Sequence, residues 1–265
     1  MRLGIVGLGV VGSAIKYGFE KLGHTVLGHD IRLDTSLADV VDTDVCYLCV
    51  PTPSNDEGAC DVSVVEEIIK DLDGLDYQGV IAIKSTVVPG TTIRLQKEFP
   101  NFTICFVPEF LRERCAEVDF TENHDLCIIG TDSELAYNLI RSSHGKYPTL
   151  VKQLSPTEAE LAKYFNNIFN ATLITFANSF FEVCESLGAD YTNIKDCMTH
   201  IDHIPDKYLD CNSSFRGFGG MCLPKDTRAI SNLCRDKGIK VSFFDMLIKE
   251  NSKYKTTVFR GMRKE

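Results

Sequence analysis

The feature that most constrains the fold is a glycine motif near the start of the chain. Residues 7–12 read GLGVVG, after the apolar run RLGIVG and at the start of an amphipathic stretch, 10–22. Strand, G-x-G-x-x-G and helix in this order are typical of a dinucleotide-binding turn. Gly7 permits the tight turn, Gly9 lets a pyrophosphate approach the backbone, and Gly12 lets the helix pack on the strand. The motif therefore predicts a phosphate-binding site at a helix N-terminus. The alternative is a glycine-rich turn that binds no ligand.

Five more short apolar runs follow the motif, and their residues hardly alternate with polar ones. They lie at 24–30, 44–50, 79–85, 102–107 and 126–130. Such runs are typical of strands that are buried on both faces of a parallel sheet. Helical patterns such as 62–72 separate several of them. We therefore expect an α/β fold, with a Rossmann-type doubly wound parallel sheet over residues 1–152.

The pattern changes near residue 150, and residues 153–188 carry no strand signal. Ser155, Pro156 and Glu158 fit the N-cap, first helical position and capping box of a helix, and Gly188 fits its end. Apolar residues recur along this stretch at Leu161, Phe165, Ile168, Leu173, Phe176 and Phe180. We expect a long central helix, followed by helical and loop-rich chain, that forms a small all-α domain over 153–265.

Composition excludes several classes of protein. The net charge is −9 and the pI is about 5.2, which argues against a nucleic-acid partner. No apolar run approaches the roughly 18–20 residues of a membrane span. The chain has eleven cysteines, an odd number, with one C-x-x-C at Cys46 and Cys49 inside an apolar run. We read these two as core thiols rather than a metal or redox site, and the chain as a cytoplasmic protein.

Besides the glycine motif, three segments that follow predicted strands provide candidate cofactor contacts: Asp30, the loop VPTP at 50–53, and Thr86. Asp30 lies eighteen residues after Gly12, where a carboxylate accepts hydrogen bonds from the adenosine ribose and repels a 2′-phosphate. This favours NAD, while Arg32 is the residue that leaves NADP open. The predicted cofactor-binding residues are Gly7, Leu8, Gly9, Val10, Val11, Gly12, Asp30, Val50, Pro51, Thr52 and Thr86.

Two further loops, KSTVVPGTT at 84–92 and VPEFLRER at 107–114, follow the fourth and fifth strands. The carboxyl ends of parallel strands lie at one edge of a sheet, so Thr86, Glu109 and Glu113 are expected to converge on one crevice. Taken singly, each is an ordinary solvated loop residue.

Lys163 and Asn167 are four residues apart and share one face of the long helix. A lysine and an amide there suit an oxyanion clamp, although the spacing alone favours a surface lysine.

The stretch GFGGMCLPKD at 217–226 places one cysteine among three glycines. A reactive cysteine needs access and a nearby positive charge. Lys225 supplies such a charge, the glycines let a substrate approach Cys222, and Asp226 is placed to activate water. From spacing alone, a nucleophile and a buried thiol are equally good interpretations.

The order GLGVVG, VPTP, KSTVVPG, PEFLRE, EAELAKYFNN, GFGGMCLPKD resembles that of the UDP-glucose/GDP-mannose dehydrogenase family, from residue 1 to about 257. The PKD ending is similar to the UDP-glucose and GDP-mannose branches. The resemblance implies a two-step NAD-dependent oxidation, most simply of UDP-glucose to UDP-glucuronate for polysaccharide biosynthesis.

The resemblance also implies roles for particular residues. Cys222 would form a thiohemiacetal and then a thioester, which water would hydrolyse, while Lys163 would stabilise the oxyanion. The implied catalytic residues are Cys222, Lys163, Asp226, Asn167, Glu113 and Thr86. The implied substrate-binding residues are Glu109, Phe110, Leu111, Gly219 and Lys225.

Family members continue into a C-terminal domain that covers the substrate's nucleotide, and we expect this chain to lack it. The family's substrate-contacting arginine has no clear counterpart, and Arg216 stands where an aromatic residue is usual. The implied partners are a nucleotide sugar, a second copy of the chain paired through 156–187, and a partner chain that supplies the missing UDP-binding domain.

Two other functions remain open. A simple β-hydroxyacid-type dehydrogenase has the same order of elements and needs no cysteine. A non-catalytic remnant would bind NAD or a sugar nucleotide, or serve as a subunit, without turnover.

Overall fold

The computed structural model describes residues 1–55 and 58–256. The strands in this part of the chain are β1 (Arg2–Val6), β2 (Thr25–His29), β3 (Val45–Leu48), β4 (Val80–Ile83), β5 (Thr103–Phe106), β6 (Leu126–Gly130) and β7 (Leu150–Leu154). The α-helices are α1 (Val10–Lys21), α2 (Ser63–Gly74), α3 (Thr91–Glu98), α4 (Ala116–Thr121), α5 (Glu134–His144), α6 (Pro156–Leu187), α7 (Tyr191–Met198), α8 (Leu223–Asp236) and α9 (Phe243–Asn251). Short 3₁₀ turns span Leu37–Val40 and Glu113–Cys115.

The chain divides into two compact units. The first comprises Met1–Pro53 and Cys60–Lys163, and the second comprises Ser54–Ala59 and the chain from Tyr164 onwards. This division falls inside α6. The domain boundary predicted after residue 152 stays a prediction.

The first unit is built on a seven-stranded sheet in the order β2-β1-β3-β4-β5-β6-β7. The pairs from β2 to β5 are parallel, which confirms the doubly wound α/β fold. The sheet is not parallel throughout, because β6 pairs with β5 in the antiparallel direction, with Phe106 opposite Gly130. Apolar runs predict strands but carry no information on their direction, so this reversal was not predicted.

Strand β7 was also missed. It pairs parallel to β6 at the end of the sheet. Its sequence, LVKQL, is largely exposed, so it lacks the apolar run by which the other strands were recognised. An edge strand needs only one neighbour, and exposed polar residues are usual there.

Alternate residues of each central strand face opposite sides of the sheet, as the pleat requires. In β3, Val45 and Tyr47 join a buried cluster with residues of α1, α4 and α5. Cys46 and Leu48 join a second cluster with α2, α3 and the start of α6. Cys46 is completely buried, and burial raises the pKa of the Cys49 thiol to about 12. Cys46 is therefore a core thiol, as predicted, while Cys49 is partly buried against the cluster that contains Val45 and Tyr47.

Helix α6 begins and ends at the residues that the sequence indicates. The Ser155 hydroxyl accepts the Glu158 N–H at 3.4 Å, and the Glu158 carboxylate accepts the Ser155 N–H at 2.9 Å. This is the predicted capping box. Gly188 follows the helix with φ of +66°, a conformation that glycine adopts without strain.

The second unit consists of helices and loops. Ala177 and Cys184 of α6 pack with Tyr191, Leu209 and Cys211 in a small core. The Tyr191 hydroxyl donates to the Leu209 carbonyl at 2.8 Å, which fixes the loop after α7. In the described residues of both units, every helix is too short or too polar to cross a bilayer.

Candidate active site

The glycine turn after β1 has the geometry of a dinucleotide-binding turn. Gly7 has φ of +91°, and a Cβ there would lie 2.7 Å from the carbonyl oxygen of Cys49. A Cβ at Gly12 would lie 1.9 Å from the carbonyl oxygen of Gly7. At Gly9, by contrast, an added Cβ would meet nothing within 4 Å. The backbone is thus closed at the first and third glycines and open at the second, where a pyrophosphate approaches.

The start of α1 suits an anion. Gly9 is its N-cap, and neither a capping side chain nor an acidic residue lies in its first turn. The first N–H groups of a helix have no partner within the helix and carry partial positive charge. This turn and Asp30 therefore fit the diphosphate and ribose of a dinucleotide.

Asp30 follows β2 and is almost completely buried. It accepts hydrogen bonds from the Leu8 N–H at 2.8 Å and from Arg32 Nε at 2.9 Å and Nη2 at 2.8 Å. The Arg32 side chain holds the pKa of this carboxyl well below its usual range, so it is ionised at neutral pH. Arg32 contacts both carboxylate oxygens, so a ribose at this position would share Asp30 with Arg32.

The loops after β3 and β4 are tied to each other. The Ser85 hydroxyl donates to the carbonyls of Leu48 at 3.2 Å and Val50 at 2.7 Å. In addition, the thiol of Cys60 donates to the carbonyl of Thr86 at 3.3 Å. Thr86 and Val50 are therefore held on one connected piece of backbone at the carboxyl edge of the sheet.

A residue that sequence reasoning missed, Glu160, supports the loop after β4. It is completely buried, and its carboxylate accepts hydrogen bonds from the Gly90 N–H, the Thr92 N–H at 2.8 Å and the Thr92 hydroxyl at 2.7 Å. Gly90 is the N-cap of α3 and has no side chain, so Glu160 caps that helix from α6. Its position three residues before Lys163 is the only sequence signal for it.

Lys163 is a buried cation and not the surface lysine that its spacing favoured. Its Nζ donates to the carbonyl oxygen of Glu109 at 2.6 Å and to Oε1 of the same residue at 2.8 Å. The two side chains are 5% and 12% exposed. Burial alone would raise the pKa of Glu109, but the charge and hydrogen bond of Lys163 outweigh it and the net shift is downward. The Phe110 ring lies 5.9 Å from Nζ.

Glu113 is exposed at the start of a 3₁₀ turn. The turn is anchored by Arg112, whose Nε and Nη2 donate to the buried Asp119 carboxylate at 2.9 and 2.6 Å. The Arg112 N–H donates to the same group at 2.9 Å. A bidentate arginine–carboxylate pair is geometrically strict, so it fixes the backbone that carries Glu113.

In the second unit, Cys222 is exposed and is the N-cap of α8, so the buried-thiol interpretation is wrong. Of the eleven cysteines, only Cys197 is likewise exposed. Gly217 and Gly220 have φ of +60° and +78°, conformations that non-glycine residues rarely adopt. The loop therefore presents an accessible thiol at a helix N-terminus.

Asp226 lies in the first turn of α8 and is completely buried. Its Oδ2 accepts a hydrogen bond from Asn167 Nδ2 at 2.6 Å, and its Oδ1 lies 2.8 Å from the ammonium of Lys225. The carboxylate is thus placed by the Asn167 amide, while Lys225 contributes its charge without a hydrogen bond to Oδ1.

Two hydrogen-bonded pairs join predicted catalytic or substrate-binding residues that lie far apart in the chain. Lys163 pairs with Glu109 in the first unit, and Asn167 pairs with Asp226 in the second. In each pair the two residues are more than fifty positions apart in the chain, so neither contact could be predicted from local spacing. The convergence of Thr86, Glu109 and Glu113 on one crevice stays a prediction.

Two family descriptions match the chain. The NAD-binding domain of the UDP-glucose/GDP-mannose dehydrogenase family matches residues 32–146, and the central domain of the same family matches residues 157–253. The first match begins after the glycine turn, so that turn stands on its own geometry.

Individual relatives agree. UDP-glucose 6-dehydrogenase TuaD of Bacillus subtilis is 32% identical over 224 residues, which are 82% of this chain and 48% of that protein. GDP-mannose 6-dehydrogenase of Pseudomonas syringae pv. tomato is 25% identical over 241 residues, which are 84% of this chain and 54% of that protein. The chain spans about half the length of the curated relatives it matches.

Solved structures show the same fold. A UDP-glucose dehydrogenase of the archaeon Pyrobaculum islandicum superposes with a TM-score of 0.86 at 27% identity, covering 95% of this chain and 68% of that one. A 3-hydroxyisobutyrate dehydrogenase of Mycobacterium tuberculosis superposes with a TM-score of 0.77 at 15% identity, covering 95% and 92%; that likeness concerns the fold alone. The two family matches together span most of the chain, which therefore contains the family's NAD-binding domain, takes NAD as its cofactor and belongs to the UDP-glucose/GDP-mannose dehydrogenase family.

Proposed function

We propose that the protein is an NAD-dependent nucleotide-sugar 6-dehydrogenase that oxidises UDP-glucose to UDP-glucuronate through a covalent intermediate on Cys222. The observation that carries the proposal is the exposed thiol at the start of α8, on a glycine loop. A dehydrogenase that stops at an aldehyde needs no such thiol, whereas reaching an acid without releasing the aldehyde requires covalent capture.

Two oxidations and one hydrolysis convert the alcohol into the acid. The primary alcohol loses a hydride and a proton and becomes an aldehyde. The Cys222 sulfur then forms a bond to the aldehyde carbon, and the carbonyl oxygen takes up a proton to give a thiohemiacetal. Loss of a second hydride and a proton gives a thioester. Water adds to the thioester and the carbon–sulfur bond breaks; one proton of the water goes to the sulfur, and the other is released with the carboxylate. NAD, when bound, accepts the hydride in each of the two oxidations.

Lys163 has the role of stabilising negative charge on the substrate oxygen. Its ammonium is held at a fixed position by the backbone and side chain of Glu109, so little reorganisation is needed as charge develops. Glu109 and Phe110 line this position, and Leu111 follows with its N–H donated to the Glu109 carboxylate at 2.8 Å.

Asp226 is proposed to serve thioester hydrolysis. Because its carboxylate is buried and held by Asn167 and Lys225, it is suited to orient water and take its proton at a defined position. It also fixes the amide of Asn167, which would then donate its other N–H to a substrate oxygen. Glu113 and Thr86 are proposed to position water or to transfer a proton near the substrate. Gly219, which has no side chain, is proposed to let the substrate approach the thiol.

The second candidate is a simple β-hydroxyacid-type dehydrogenase. A dinucleotide-type glycine turn followed by a long helix that carries Lys163 and Asn167 leaves this reaction open. Such an enzyme would need no cysteine, so alkylation of Cys222 would leave it active.

A homodimer is the proposed assembly. Four phenylalanines of α6 are exposed and stack in pairs, Phe165 with Phe169 at 6.5 Å and Phe176 with Phe180 at 5.7 Å between ring centroids. Exposed aromatic residues at helical spacing are typical of an interface.

The test is a panel of UDP- and GDP-sugars offered with NAD to the wild type and to Cys222→Ser. We expect the wild type to form NADH and uronic acid from UDP-glucose, and the variant, which cannot form a thioester, to form no acid. Equal acid production by both proteins would contradict the covalent route. NAD binding without turnover on any sugar would instead favour a non-catalytic remnant, and turnover that survives thiol alkylation would favour the β-hydroxyacid alternative.

A further inference from the structure

The loop that carries Cys222 is attached to α6 on both sides of the cysteine. Asn167 holds Asp226, four residues after the cysteine, and Asn178 holds Gly217, five residues before it. The two asparagines are eleven residues apart, which is close to three full turns of an α-helix. They therefore lie on one face of α6, about 16 Å apart along its axis, with the nucleophile between their two attachments.

Asn178 is only 1% exposed, and its side-chain oxygen faces donors alone. Oδ1 accepts the Gly217 N–H at 3.0 Å, Arg216 Nε at 2.8 Å and the Cys211 thiol at 3.5 Å. Its Nδ2 donates to the Ile174 carbonyl one turn back, at 2.8 Å. Both ends of the amide are satisfied, and its orientation follows from the donors around it.

Arg216 strengthens this attachment. Its guanidinium lies between the rings of Phe181 and Tyr254, at 4.8 and 4.5 Å from their centroids, and pairs with the Glu182 carboxylate. An arginine sandwiched in this way is immobilised by cation–π attraction as well as by its hydrogen bonds. Arg216 is thus committed to structure and not to binding substrate.

The backbone of Phe218, two residues after Arg216, is also fixed. Both backbone groups of Phe218 bond to the side chain of Asn251, the N–H to Oδ1 at 2.7 Å and the carbonyl to Nδ2 at 2.9 Å. The Phe218 side chain is buried. The backbone is therefore held up to Phe218, and only Gly219, Gly220 and Met221 separate it from Cys222.

We infer that Asn178 is a positioning residue for the nucleophile, matching at the start of the loop what Asn167 and Asp226 do at its end. Gly217, Gly219 and Gly220 give the loop more backbone freedom than other residues would. Without the anchor, Cys222 would sample many positions, and a displacement of about 1 Å costs roughly 100-fold in rate. The catalytic part of this inference rests on the proposed function.

The discriminating variant is Asn178→Leu, which keeps the volume and removes the acceptor. In the wild type, each uronic acid accompanies two NADH. If Cys222 is misplaced, aldehyde from the first oxidation escapes, so the ratio of NADH to acid rises above two and free aldehyde can be trapped. A merely structural role would lower the folded fraction and leave that ratio unchanged.

Matched variants complete the test. Thr175→Val removes a buried hydroxyl of α6 that donates to the Ala171 carbonyl of its own helix, and should keep the ratio at two. Asn178→Asp keeps the acceptor for the Gly217 N–H and Arg216 but loses the donor to the Ile174 carbonyl, so it should return the ratio part of the way towards two. Arg216→Ala should give an intermediate ratio and serves in place of Asn178→Leu if that variant does not fold. A ratio of two in both Asn178→Leu and Arg216→Ala would overturn the inference.

Hydrogen exchange separates this inference from the proposed function. If the wild type oxidises no nucleotide sugar, the function fails while the anchor is still tested. Amides of residues 217–222 should then exchange about tenfold faster in Asn178→Leu than in the wild type, as expected for one lost hydrogen bond. Unchanged exchange there would overturn the anchor.

Discussion

At the scale of single residues, His144 shows how burial couples the first unit to pH. It is completely buried, and within the described residues its Nε2 has no hydrogen-bond partner, while Nδ1 lies 2.9 Å from the Ile140 carbonyl. The rings against it are those of Phe19, Tyr47, Phe120 and His124. The other titratable groups that act on it are Lys84 and His24.

His144 and His124 are both held in the neutral form at neutral pH. Burial, followed by the charge of Lys84, lowers the pKa of His144 well below its usual value and that of His124 to about 4. An unfolded chain binds these protons near pH 6.5. The unfolded state therefore binds more protons than the folded state below that pH, and the free energy of unfolding falls as pH decreases.

We expect the free energy of unfolding to fall between pH 7 and pH 5, with His144 contributing up to about 1.4 kcal/mol per pH unit below pH 6.5. His144→Leu removes that proton and should make the decline shallower by this amount. Urea unfolding of both proteins across this pH range measures it. Parallel declines would show that His144 is not held neutral.

Lys163 shows the limit of sequence reasoning at this scale. Its four-residue spacing from Asn167 was predicted correctly as a shared helix face, but not its burial. Burial depends on Glu109, which lies 54 residues earlier in the chain. Asn178 gave no sequence signal, because its partners Gly217 and Arg216 lie 39 and 38 residues later in the chain.

At the scale of elements, helix ends and buried strands could be predicted because their signals are local. The capping box of α6 and Gly188 set its bounds, and the apolar runs found six of the seven strands in the described residues. Strand β7 and the reversal between β5 and β6 could not be predicted, because both depend on which neighbour a strand meets.

Helix α6 carries the prediction about assembly. We expect a dimer in light scattering, and we expect Phe176→Glu to weaken it by about 100-fold, the effect of losing an interfacial aromatic residue. Leu135→Glu is the matched control, because Leu135 is equally exposed but lies on α5. A monomeric wild type, or dimers in both variants, would exclude pairing through α6.

At the scale of the whole molecule, six short motifs in a fixed order indicated the family, although each alone was a loop or a helix face. The order of the motifs can be recognised in the sequence because each motif is a short local run. Contacts such as that of Lys163 with Glu109 form only when the chain folds. The family is established over residues 32–146 and 157–253, while the covalent route through Cys222 is a proposal of chemistry.

The most direct test of that route is the mass of the Cys222 peptide after acid quenching during turnover with UDP-glucose and NAD. The account predicts that a fraction of this peptide carries the sugar acid as a thioester, and that the fraction grows in Asp226→Asn because hydrolysis slows. An unmodified Cys222 peptide in both proteins, while uronic acid is still formed, would contradict it.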